Sequence, residues 1–121
     1  FPKFAKKRQQ LAKQYDNLFS SHLNIHPVPR NYDTVVPHIY VVRIPGINNK
    51  SDIKKKLLQK GIMVGYHYQP NHWLNFFQDK KNAPLPITDN IFPELMSLPL
   101  HPELTKINVK YVASELIKLI S

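Results

Sequence analysis

The run GYHYQPNH, residues 65–72, places two tyrosines, two histidines and two amides in eight positions, and Trp73 follows directly. Imidazole, phenol and carboxamide groups donate and accept hydrogen bonds, so a cluster of this kind can read the oxygens of a polar ligand. The residues before it, IMVGYHY, have the composition of a β-strand. Ligands of open α/β sheets gather at strand ends. Alternation along a strand sends Tyr66 and Tyr68 to one face and His67 to the other, and Pro70 turns the chain so that His72 can return toward His67. The same composition also suits an aromatic patch packed against a neighbouring domain, and the residues alone leave both readings open.

The other chemistries that six histidines suggest find little support. There is no cysteine and no HExxH arrangement, so His67, His72 and His101 do not make a recognisable zinc ligand set, and no metal site is expected. With three glycines, Gly46, Gly61 and Gly65, the chain builds no phosphate-cradling loop, no dinucleotide fingerprint and no GxSxG elbow. The formal charge of +9, from 17 Lys and Arg against 8 Asp and Glu, raises the question of a polyanionic partner. The cations are nevertheless scattered over positions that helices turn to solvent. Only Tyr40 and Arg43 combine aromatic and basic character on the strongest strand, so no nucleic-acid partner is expected. No apolar run approaches the roughly 20 residues of a membrane span and no signal-peptide core is present, which leads us to expect a cytoplasmic protein without a membrane partner. The absence of cysteine agrees with a reducing compartment.

The elements that must position the cluster follow from periodicity. At 121 residues, with 42% hydrophobic and 21% charged content, the chain reads as one soluble domain over residues 1–121, a size that buries roughly two-thirds of its unfolded surface. Phe4, Leu11, Tyr15, Leu18 and Phe19 recur at helical spacing and predict an amphipathic helix over 4–19. Residues 22–37 contain three prolines and predict an extended connection. HIYVVRI, residues 38–44, is rich in β-branched and aromatic side chains and closed by Pro45-Gly46, and predicts the clearest strand. Ser51 is the expected cap of a short helix over 52–60 ended by a left-handed Gly61, and residues 62–68 predict a second strand. Trp73, Phe76 and Phe77 suggest a helical turn, Thr88 or Asp89 the cap of a short helix reaching Leu95, and MSLPLHP a brief third strand. Val109, Val112, Ala113, Leu116, Leu119 and Ile120 predict a closing amphipathic helix from Asn108.

Several landmarks occur together: Arg8 and Tyr15 on the first helix, HIYVVRIP, LLQKGIMVGYHYQPNH, and LMSLPLHPELT followed by a helix. In this order they resemble the C-terminal small domain of the DegT/DnrJ/EryC1/StrS family of pyridoxal-phosphate-dependent sugar aminotransferases, over nearly the whole chain. The ordered pair of HYxPxH, residues 67–72, and SLPLHPxLT, residues 97–105, carries the likeness. It implies an α/β chain of the α+β small-domain kind: a small mixed or antiparallel sheet of about three strands with helices packed on it, as in fold-type I aminotransferases. It implies transfer of an amino group, commonly from glutamate, to a keto group on a nucleotide-linked sugar, within a homodimer whose large domain holds the cofactor.

By the same resemblance, His67, Tyr68 and His72 are the substrate-binding residues, orienting the sugar and its diphosphate, and none of them is the base. No catalytic residue is expected in this chain. Neither the family's Schiff-base lysine segment nor the carboxylate partner of the pyridine nitrogen is recognisable, so pyridoxal phosphate belongs to the parent enzyme and is not expected on this chain alone. The sequence also opens on a helix with no strand before it, and reads as part of an enzyme more than a complete one. Arg43 matches the family's basic strand position and reads as an ion-pair partner more readily than as an anion contact. Asn71 stands where the family often has an apolar residue. The alternative reading is a non-catalytic basic binding module with the same fold.

Overall fold

The computed structural model describes residues 2–66 and 85–121. Four α-helices surround a three-stranded antiparallel sheet: α1 Pro2–Phe19, β1 His26–Pro27, β2 Tyr40–Arg43, α2 Lys50–Gln59, α3 Pro86–Ile91, β3 Leu95–Leu98 and α4 Lys106–Ile120, with a 3-10 turn, Phe92–Glu94, leading into β3. The strand order is β1-β2-β3. The α/β class and a sheet of three strands agree with the sequence reading, and the sheet is antiparallel throughout.

On the inner face of the sheet, Tyr40 lies opposite Leu98 and Val42 opposite Met96. All four are buried, as period-2 alternation requires of a strand with one face on the core. Against them α1 places Leu11, Ala12, Tyr15 and Phe19, and α4 places Val109, Val112, Ala113 and Leu116, all buried. Tyr15 stacks on Tyr40 at 4.5 Å between ring centroids and runs parallel to Phe19 at 6.1 Å, so three aromatic rings weld α1 to β2. Phe4, counted in the expected helical stripe, is 55% exposed. It sits seven residues before Leu11, in the first turn of α1, where it lines a surface pocket with His101, Pro102 and Glu103.

The connections show where local chemistry overrode the sequence pattern. The extended segment after α1 contains β1, whose two residues pair with Val42 and Arg43. Pro27 fits there because β1 is an edge strand and its missing donor faces no partner. Ile44, Pro45, Gly46 and Ile47 form a type II turn: Ile47 N donates to Ile44 O at 3.3 Å and Gly46 has φ +74°. Ser51 does not cap α2. That helix begins two residues earlier than expected, at Lys50, with Asn49 in the cap position and no side-chain cap hydrogen bond. Its other end is the expected one: Gly61, at φ +79°, closes a Schellman motif in which Ile62 N donates to Leu57 O and Gly61 N to Leu58 O, both at 2.9 Å.

Thr88 and Asp89 likewise lie inside α3, whose N-terminus is set by Pro86 at the first helical position. Helix α4 starts at Lys106, two residues before the expected Asn108, because Thr105 and Asn108 form a capping box. Asn108 N donates to Thr105 Oγ1 at 3.1 Å and Thr105 N to Asn108 Oδ1 at 2.9 Å. The expected turn at Trp73, Phe76 and Phe77 lies outside the described residues.

Candidate substrate-cleft wall

Of the expected strand over 62–68, the described part makes one bridge. Gly65 pairs antiparallel with Ser97, Gly65 N donating to Ser97 O at 3.0 Å and Ser97 N to Gly65 O at 2.8 Å. Ser97 faces Val41 of β2 on its other side. The segment that leads toward the histidine motif therefore lies alongside β3 at Gly65, opposite Ser97, the first residue of the second motif. His67, Tyr68 and His72, the expected substrate-binding residues, lie outside the described residues, as does Asn71.

The second motif has described side chains, and most of it is structural. Ser97, Leu98 and Leu100 are buried. Tyr15 Oη donates to Pro99 O at 2.8 Å, and the Arg8 guanidinium donates to Leu100 O at 3.3 Å and to His38 O at 3.2 Å. The scattered landmarks of the sequence are thus one network: α1 reaches over the sheet and holds the carbonyls with which the SLPL strand ends. Burial of the phenols of Tyr15 and Tyr40 raises their pKa far above the ordinary tyrosine value. For Tyr40, whose Oη donates to Asp16 Oδ1 at 2.6 Å, that carboxylate adds to the effect. Tyr32, nearby, is pushed up to about 12 by burial and by Asp16.

Arg43 is an ion-pair partner. Its Nε lies 2.6 Å from Glu94 Oε2, and Gly46 N donates to Glu94 Oε1 at 3.1 Å. One carboxylate thereby ties the end of β2, the turn after it and the entry to β3. The two hydrogen bonds hold the Glu94 carboxyl below the usual carboxylate range. At the far end of α2, Glu115 of α4 takes Lys60 at 2.9 Å and Lys118 at 3.2 Å, and these two cations lower its pKa in the same way.

Beside the Gly65 bridge sits a group of residues that sequence reasoning did not join. Lys50 Nζ lies 3.9 Å from the ring centroid of Tyr66 and 5.0 Å from that of Phe92, and donates to Phe92 O at 3.2 Å. Tyr66 Oη donates back to Lys50 O at 3.3 Å. No spacing rule joins positions 50, 66 and 92, so only the fold brings them together.

A cavity of about 730 Å³ is lined by both residues of the bridge, Gly65 and Ser97. Ile62, Val64, Leu98, Leu100 and Val112 make its apolar floor, and His38, Ser97, His101, Asn108 and Tyr111 give it polar edges. It contains neither a lysine nor a carboxylate. A Schiff-base cofactor with a pyridinium nitrogen needs both. This cavity therefore does not fit pyridoxal phosphate, and no chemical step through the cofactor is assigned to its lining. Among the described residues there is also no cluster of metal-ligating side chains, and no helix is long and apolar enough to cross a membrane.

Comparison with known proteins agrees with this geometry. Residues 1–117 match the model of the DegT/DnrJ/EryC1/StrS aminotransferase family. The chain is 30% identical over 122 residues to a dTDP-4-dehydro-2,3,6-trideoxy-D-glucose 4-aminotransferase of Saccharopolyspora spinosa, covering 98% of this chain and 31% of that protein. It is 27% identical to the UDP-4-amino-4,6-dideoxy-N-acetyl-beta-L-altrosamine transaminase of Helicobacter pylori, covering 97% of this chain and 32% of that one. The chain thus spans about a third of the length of these curated relatives.

Among solved structures, Helicobacter pylori PseC, an aminotransferase of pseudoaminic acid biosynthesis, superposes with a TM-score of 0.86 at 24% identity, covering 98% of this chain and 33% of that one. DesV of S. venezuelae gives 0.83 at 21%, with 98% and 32% covered. These likenesses show the fold. With the family model matched along nearly the whole sequence, the chain belongs to the DegT/DnrJ/EryC1/StrS aminotransferase family.

Proposed function

We propose that this chain is the C-terminal small domain of a pyridoxal-phosphate-dependent nucleotide-sugar aminotransferase and forms one wall of its substrate cleft. The observation that supports the reading is the Gly65 to Ser97 pairing, which joins the segment just before the histidine motif to the first residue of the second motif. The relatives' activities on dTDP- and UDP-linked sugars give the substrate class. The coverage of about a third of their length supports a division of labour between this chain and the rest of the enzyme. In this account a large domain elsewhere in a longer protein holds the cofactor, which carries the amino group and serves as electron sink. The enzyme works in the cytoplasm as a homodimer.

The part played by this chain is binding and orientation. The hydroxyl of Tyr68 and the imidazoles of His67 and His72 donate to sugar and diphosphate oxygens, holding the keto carbon where the amino group is delivered. Glutamate gives up its amino group to become 2-oxoglutarate, and the keto group of the sugar becomes an amine.

The test is to incubate the longer protein with glutamate and a set of dTDP- and UDP-linked keto-sugars, following 2-oxoglutarate and the mass of the sugar nucleotide. Stoichiometric formation of 2-oxoglutarate and an amino sugar supports the reading. Amino transfer only to keto acids, with every sugar nucleotide untouched, overturns it.

A further inference from the structure

Lys50 and Tyr66 hold each other by two contacts that run in opposite directions. The ammonium of Lys50 lies over the Tyr66 ring at 3.9 Å from its centroid. The Tyr66 hydroxyl donates to the Lys50 carbonyl at 3.3 Å. The remaining reach of the ammonium goes to Phe92, to the ring at 5.0 Å and to the carbonyl at 3.2 Å. One turn along α2, Lys54 brings a second ammonium to 4.9 Å from the same Tyr66 ring. Among the described residues no carboxylate pairs with Lys50 or Lys54.

A lysine on a helix surface ordinarily keeps its ammonium in water and its side chain free. Here the ammonium is drawn in over two aromatic faces, and burial lowers its pKa from the ordinary lysine value. Holding a four-carbon side chain in one place costs conformational entropy, which the ring faces and a carbonyl must offset. Core formation does not require it, because Lys50 and Tyr66 are only half-buried and neither belongs to the buried cluster. What the contact does fix is Tyr66, by both ring and hydroxyl. Tyr66 directly follows the Gly65 bridge and directly precedes His67.

We propose that Lys50 is a positioning residue for the substrate-binding motif: by clamping Tyr66 it sets the point and direction from which the chain passes into residues 67–72. The inference rests on the reading of His67, Tyr68 and His72 as substrate contacts. It makes Lys50 a residue that acts on the nucleotide sugar through Tyr66 without touching it.

The experiment compares Lys50→Met, Lys50→Arg, Tyr66→Leu and the double variant in the longer enzyme. Lys50→Met is expected to raise KM for the sugar nucleotide by roughly ten-fold, with kcat, cofactor absorbance and the urea midpoint little changed. Arginine stacks on aromatic faces, so Lys50→Arg is expected to recover most of the loss. Tyr66→Leu should reproduce the defect, and the double variant should be no worse than either single one, as coupled residues require. A lowered urea midpoint with KM unchanged, or additive losses in the double variant, overturns the proposal.

A second readout needs no activity. In the full chain, Lys50→Met is expected to shift the imidazole resonances of His67 and His72 while Lys50→Arg leaves them in place. Should the wild-type enzyme transfer no amino group to sugar nucleotides, the functional reading fails and the clamp is judged on these resonances: unchanged shifts in Lys50→Met overturn it.

Discussion

Gly65 and Ser97 exchange both of their backbone hydrogen bonds, at 3.0 and 2.8 Å, across an antiparallel bridge. Because Ser97 also faces Val41, the segment that enters the histidine motif is the outer neighbour of β3, and β3 stands between it and β2. The two are joined in sequence through α2 and yet are not adjacent in the sheet. Helix α1 then fastens this arrangement from above, through Arg8 and Tyr15, at the carbonyls where β3 ends.

Replacing Arg8 with Met is expected to leave the carbonyls of His38 and Leu100 without their guanidinium donor and to cost about 1–3 kcal/mol. Urea unfolding followed by circular dichroism measures it. Arg8→Lys should recover only part, since one ammonium lacks the planar fork of donors.

Tyr15→Phe removes the hydrogen bond to Pro99 O and keeps the stack on Tyr40 and Phe19, so a loss of about 1 kcal/mol is expected. Tyr15→Ala also empties the centre of the core between α1 and β2, and should cost about 3–5 kcal/mol. A ratio near one between the two losses, read from urea midpoints, would contradict the placement of the ring.

The tyrosines around Asp16 predict an alkaline limit. Tyr32, Tyr40 and Tyr15 have folded pKa values above the ordinary value of 10.0, Tyr32 at about 12. Raised values favour the protonated folded state, so this stability is fully present below pH 10 and is lost as pH rises through 12 and beyond. Absorbance titration of phenolate should show these three groups ionising together with unfolding, and Tyr40→Phe should remove one of them.

On the acid side the sign is reversed. Glu94 has a lowered folded pKa through Arg43 and Gly46, so its contribution is present above the ordinary carboxylate value and is lost as pH falls through the folded one. Glu94→Gln is expected to flatten the acid limb of the stability curve. Chemical unfolding between neutral pH and pH 3 measures the change in slope, an unchanged slope counting against the ion pair.

Much of this architecture was legible in the sequence because it rests on local rules. The period of Leu11, Tyr15 and Phe19 marked α1, Pro45-Gly46 marked the end of β2, and Gly61 marked the end of α2. The class of sheet and the family likeness could be read from motif order. What escaped depended on contacts between distant residues. Ser51, Thr88 and Asp89 are good capping residues by type, but Asn49 and Pro86 set those helix ends. The strand β1 was hidden by Pro27, tolerable only at an edge that the sequence does not reveal. The expectation for Arg43 held because Glu94 meets it, although nothing links positions 43 and 94 locally. Lys50 carried no signal of its own in the sequence. Its partners, Tyr66 and Phe92, come to it only when the Gly65 bridge and the turn before β3 are in place.

The central claim is that residues 67–72 of this chain handle the sugar nucleotide and leave the cofactor to the rest of the enzyme. The most direct measurement is steady-state kinetics of Tyr68→Phe and His72→Ala in the longer protein, with the cofactor absorbance recorded on the same samples. The account predicts a rise of about ten-fold or more in KM for the sugar nucleotide, an unchanged KM for glutamate and an unchanged cofactor spectrum. Loss of the cofactor band, with the KM for the sugar nucleotide unaltered, would contradict it.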